Sequence, residues 1–117
     1  MIIPAQHIQI VVAVKPVDFR KGHDGLAAIA QSALGLDPHS GVVVVFRSRK
    51  ADRIKILLWD GTGLVMSYKR LESGAFAWPP LRDGSMHLTP AQFEALFAGL
   101  DWRRVRAPVV HAPSAAE

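Results

Sequence analysis

Apolar positions along this chain change period four times, and each change predicts an element. "HIQIVVAV" at 7–14 is β-branched and nearly continuous, as a strand is, and Pro16 ends it. In "VDFRKGHDGLAAIAQSALGLDP" the spacing of Leu26, Ile29, Ala30 and Ala33 becomes helical, with Asp24 as N-cap and Gly35 as the stop. After the turn "DPHSG" at 37–41, three strands follow at 42–49, 53–60 and 64–71. The short joints "KAD" and "GTG" make consecutive antiparallel hairpins the natural reading. A turn at 72–74 leads to "AFAWP", which reads as a fourth short strand after the 42–71 meander.

"LTPAQFEALFAGL" then predicts a second helix, with Thr89 as N-cap, Pro90 at the first helical position and Gln92 closing a capping box. Phe93, Leu96, Phe97 and Leu100 form its apolar stripe. The predicted fold is α+β: an antiparallel sheet, built as a meander, with two helices packed on one face. It forms one domain over residues 1–102, followed by an aperiodic Arg/Pro/Ala-rich tail at 103–117 that is expected to be flexible.

Charge changes the picture at one place. The net charge is +4, but between Arg47 and Lys55 five basic residues (Arg47, Arg49, Lys50, Arg53 and Lys55) stand against a single acid, Asp52. Alternation puts Arg53 and Lys55 on one strand face, opposite Ile54, Ile56 and Leu58. Arg47 and Arg49 continue the face of Val43 and Val45. The predicted object is a two-stranded ribbon, apolar at its root and cationic at its tip. Two readings fit it. Such a tip protects a sheet edge and aids solubility; it also has the width and charge to meet a DNA groove and its phosphates.

Candidate chemistry is otherwise sparse. There is no cysteine, hence no disulfide, thiolate nucleophile or Cys-based metal site. Asp18, Asp24, Asp52, Asp60 and Glu72 are the acids available to metal-dependent nuclease chemistry. Asp52 and Asp60 stand in turns, though, and Asp24 at a helix start, which are places where acids serve structure. The five histidines lack ligand-like spacing, and no phosphate loop or nucleophile elbow is present. Trp59, Trp78, Trp102, Tyr68 and Phe76 beside apolar strands fit core packing better than stacking platforms. These observations lead us to expect a non-catalytic protein without cofactor or metal. The interrupted apolar N-terminus carries no leader or membrane span, so a cytoplasmic location is expected.

Five segments occur in an order that marks a family: "VDFRKGHDGL" (17–26), "DPHSG" (37–41), "VFRSRKADRIKILLWDGTG" (45–63), "KRLESGAFAWP" (69–79) and "GLDW" (99–102). Over residues 7–102 the chain resembles the TnpB accessory proteins of bacterial insertion sequences of family sixty-six. These are distinct from the longer RNA-guided nucleases of the same name. The resemblance implies a protein needed for transposition, encoded beside a separate transposase that carries the catalytic acids. It also adds Arg20, Lys21, Lys69 and Arg70 as flanking candidates to the hairpin set. Relatives tend to place basic residues around the Phe-x-Trp-Pro aromatics; here Ala75 and Ala77 flank Phe76. The implied partners are DNA at the element ends, or, for an adaptor that never touches DNA, the transposase or another accessory subunit.

Overall fold

A computed structural model describes residues 8–80 and 84–105. Five strands form one sheet: β1 (Ile10–Ala13), β2 (Val43–Arg47), β3 (Arg53–Trp59), β4 (Leu64–Arg70) and β5 (Ser85–Leu88). Two helices, α1 (His23–Ser32) and α2 (Pro90–Phe97), and a 3₁₀ turn at Trp102–Arg104 complete it. The hairpins β2–β3 and β3–β4 form the expected antiparallel meander. The sheet as a whole is mixed, in the order β4-β3-β2-β1-β5, because β1 lies parallel to β2. A parallel neighbour needs a long crossover, and the segment containing α1 supplies it.

The helices lie on opposite faces of the sheet, not together on one. Leu26 and Ala30 of α1 pack with Val11, Ala13, Val44, Phe46 and Leu57. Phe93 and Leu96 of α2 pack on the other parity, with Ile10, Val12, Val43, Val45, Ile54 and Ile56. The physical reason is in β1 and β2 themselves. Both are apolar at every position up to Phe46, so covering one face alone would leave half of those side chains in water.

Segment 71–80 contains no strand. It instead crosses the α2 side of the sheet through specific bonds: Phe76 N–H donates to the Ala51 carbonyl (2.7 Å) and Trp78 Nε1 to the Ala13 carbonyl (3.0 Å). Buried Trp102 donates to the Ala77 carbonyl (2.7 Å). The sheet gains its last strand from β5, which pairs antiparallel with β1.

Helix boundaries follow the caps. At α2, Thr89 Oγ1 accepts from Gln92 N–H (3.1 Å) while Gln92 Oε1 accepts from Thr89 N–H (2.9 Å), the reciprocal box read from the sequence. Leu100 falls outside the stripe, 62% exposed, because the helix has ended and Gly99 has turned left-handed (φ 79°). In α1 the N-cap is Gly22, not Asp24, which is a residue of the first turn. The C-cap of α1 is Ala33, and Gly35, expected as the C′ stop, follows one position later, where its left-handed φ of 65° lets Leu36 N–H close on the Ala30 carbonyl. The ordered fold continues through the 3₁₀ turn to Val105, packed against the core. The rest of the expected tail, 106–117, lies outside the described residues. Among the described residues no helix is long and apolar enough to cross a membrane.

Candidate anion-binding surface

The β2–β3 turn is held by Ser48. Its hydroxyl donates to Asp52 (3.1 Å) and accepts from Arg53 N–H (3.2 Å), while Ala51 N–H donates to the Ser48 carbonyl (3.0 Å). Ala51 adopts a left-handed φ of 57°, and its carbonyl receives Phe76 N–H. The turn backbone is therefore tied to the body of the protein.

Those cations do not form one ribbon. Arg47 pairs across the sheet with Ile54, on the α2 side, where its guanidinium lies 5.9 Å from the Trp78 ring. It is half-buried and donates to the carbonyls of Val14 (3.2 Å) and Arg49 (3.3 Å). Burial lowers its pKa, although an arginine remains charged. Lys69, the partner of Ile54 on β4, is on that side too. Its ammonium donates to the Phe97 carbonyl and lies over the Phe97 ring, joining β4 to the end of α2.

Arg53 and Lys55 occupy the α1 side at different depths. Lys55 is only 5% exposed, so the expected phosphate contact does not fit its position. Its ammonium donates to the carbonyls of Phe19 (2.7 Å) and Lys21 (2.8 Å) and sits 5.0 and 5.3 Å from the rings of Phe19 and Tyr68. An ammonium so deep is stable only with such partners. Lys55 thereby pins the 18–22 loop onto the sheet. Phe19, which the sequence reading passed over, meets Tyr68 edge-on (5.7 Å between ring centres).

On the surface beside this knot stand the remaining candidates. Arg53 and Arg70 lie directly opposite each other on β3 and β4. Neither has a carboxylate within ion-pair distance among the described residues. Arg53 Nη1 donates to the Tyr68 hydroxyl (3.2 Å). Arg49 and Lys50 are exposed in the turn, and Lys21 is exposed in the pinned loop. Arg20 is 91% exposed but clasped by Asp18, with Nη2 to Oδ2 at 2.6 Å. That clasp, with the Arg20 N–H on the same carboxylate, holds Asp18 well below the usual carboxylate range.

The structure thus gathers Arg20, Lys21, Arg49, Lys50, Arg53 and Arg70 at one end of the sheet, and turns Arg47, Lys55 and Lys69 to internal contacts. Two of the other acids have local roles: Asp52 braces the turn, and Asp60 accepts from Thr62 N–H (2.9 Å) and Gly63 N–H (3.0 Å), bonds that lower its pKa. Among the described residues no three His, Asp or Glu side chains gather as a metal site would require. Trp78 and Trp102 make structural bonds, and Trp59 packs edge-on against His39 at the far end of β3 (5.1 Å).

Comparison with known proteins finds that a family model described as IS66 Orf2 like protein matches residues 8–107. Two uncharacterized proteins of Sinorhizobium fredii (strain NGR234) are similar. One, y4jC, is 47% identical over 114 residues, covering 97% of each chain. The other, y4hO, is 36% identical over 103 residues, covering 88% of this chain and 90% of its own. No solved structure matches.

Proposed function

Because the chain belongs to the IS66 Orf2-like protein family, we propose that it is a non-catalytic accessory factor of insertion-sequence transposition that binds DNA through the Arg49–Lys50–Arg53–Arg70 surface. The observation that carries this reading is the Arg53–Arg70 pair. Like charges directly opposite on neighbouring strands destabilise a sheet. A carboxylate at either position would relieve that cost; a phosphate on the partner relieves it only in the complex. Arg49 and Lys50 extend the same positive field at the turn, and Lys21 adds to it from the loop that Lys55 fixes.

The test is fluorescence anisotropy of the purified protein with a duplex carrying the element end and with a scrambled duplex, from low to physiological salt. Each phosphate neutralised contributes about −0.9 to the log–log slope of affinity against salt. Changing Arg49, Lys50, Arg53 and Arg70 together to Ala should weaken binding and flatten that slope by roughly 3 to 4. Preference for the end sequence would make the protein a reader of it. A folded wild type that ignores both duplexes and their separated single strands would overturn DNA binding and turn the same surface toward an acidic patch on the transposase or another accessory subunit.

A further inference from the structure

We propose that Tyr68 is a stacking platform for an unpaired base, so that this surface takes single-stranded DNA, or a frayed end, in preference to intact duplex. The inference rests on the nucleic-acid reading above and specifies the form of nucleic acid. Among the described Phe, Tyr and Trp residues Tyr68 is the exposed one, at 48%. It is also held rigidly. The Lys55 ammonium lies over the ring at 5.3 Å, Phe19 abuts it edge-on, and Arg53 Nη1 fixes the hydroxyl at 3.2 Å.

With Lys55 and Phe19 against the ring, the half of Tyr68 that remains exposed is the part a ligand can meet. An aromatic held this way loses little entropy when a base stacks on it, and the cation behind it does not compete for the open side. Arg70 follows on the same strand face, two residues along and about 7 Å away. Arg53 stands opposite Arg70, so a base on Tyr68 would have two guanidinium groups within reach of its own flanking phosphates. This combination of aromatic face and tracking cations is how proteins hold single strands. In a duplex the base faces are already stacked on one another, and a ring lying on a sheet surface has none to meet. Phosphate contacts alone would not call for the aromatic.

The test compares a labelled 20-nucleotide thymidine strand with a mixed-sequence duplex of 20 base pairs, by anisotropy at fixed salt, using the full chain. Variants are Tyr68→Ala, Tyr68→Leu and Tyr68→Phe, each checked for a wild-type circular dichroism spectrum and melting profile. Wild type should bind the strand several-fold tighter than the duplex. Tyr68→Ala and Tyr68→Leu should lose about tenfold or more on the strand, while Tyr68→Phe, which keeps the ring, stays within about threefold. Leu keeps the apolar cover over Lys55, so it isolates the aromatic face should Ala unfold the site. Equal losses on strand and duplex, or a Leu variant that binds the strand as wild type does, would overturn the platform. If duplex binding then still depended on Arg53 and Arg70, the proposed function would stand without it; binding to neither probe would remove both.

Discussion

An ammonium withdrawn from water is stable only where acceptors and ring faces replace its hydration, and Lys55 has two carbonyls and two rings around it. Lys55→Met keeps much of the volume and removes the charge, leaving the Phe19 and Lys21 carbonyls without their donor. We expect a loss of about 2–4 kcal/mol in urea unfolding, with the 18–22 loop exchanging its amide hydrogens faster than the rest of the protein. A loss under about 1 kcal/mol would mean the loop is held by other contacts. Little of this could be read in the sequence. Alternation assigns Lys55 the same face as Arg53, correctly, but period-two spacing reports a face and not a depth. What covers Lys55 is a loop more than thirty residues earlier in the chain, where Phe19 and Lys21 look like ordinary loop residues. Asp52 and Asp60 were legible because their partners lie within four residues.

Local signals also decided which elements could be foreseen. The α2 capping box is a pattern of four consecutive residues, and Thr89→Ala should cost about 1 kcal/mol in thermal or urea unfolding. Since both bonds join the same two residues, Gln92→Ala added to Thr89→Ala should cost less than the two separate losses combined; strict additivity would show that the bonds act independently. The β2–β3–β4 meander was legible for the same reason, since each strand meets its neighbour across a short turn. The other half of the sheet is joined by long-range pairing. β5 is four residues with a single buried side chain, Leu88, and only its partner β1, some seventy residues away, makes it a strand. The placing of the helices failed differently. Valine runs buried on both faces state that two layers must cover the sheet, and that sign was present in "VVVVF" but was read as strand propensity alone.

At the scale of the molecule, the net charge of +4 understates how unevenly charge is arranged. β3 begins at Arg53 and ends at Trp59, with Asp60 next, so the Asp60 turn is separated from the basic end by the length of the strand, about 20 Å. The acids at the basic end include Asp18, clasped to Arg20, and Asp52, bonded to Ser48. The distance to Asp60 exceeds the ~8 Å over which charges interact at physiological ionic strength. An anion approaching Arg53 and Arg70 therefore meets positive charge that Asp60 does not cancel. A fold that keeps two arginines face to face gives up some stability at rest, which leads to a prediction separating the two effects. Arg53→Glu places opposite charges across β3 and β4, so the variant should be more stable than wild type by about 0.2–1 kcal/mol in urea unfolding. The same change removes one cation and engages Arg70 in an ion pair, so the salt slope for DNA should flatten by nearly 2 as affinity falls. Stability rising while binding falls would identify the pair as one retained for its ligand. Stability and binding falling together would instead point to Arg53 as a structural residue, acting mainly through its bond to the Tyr68 hydroxyl.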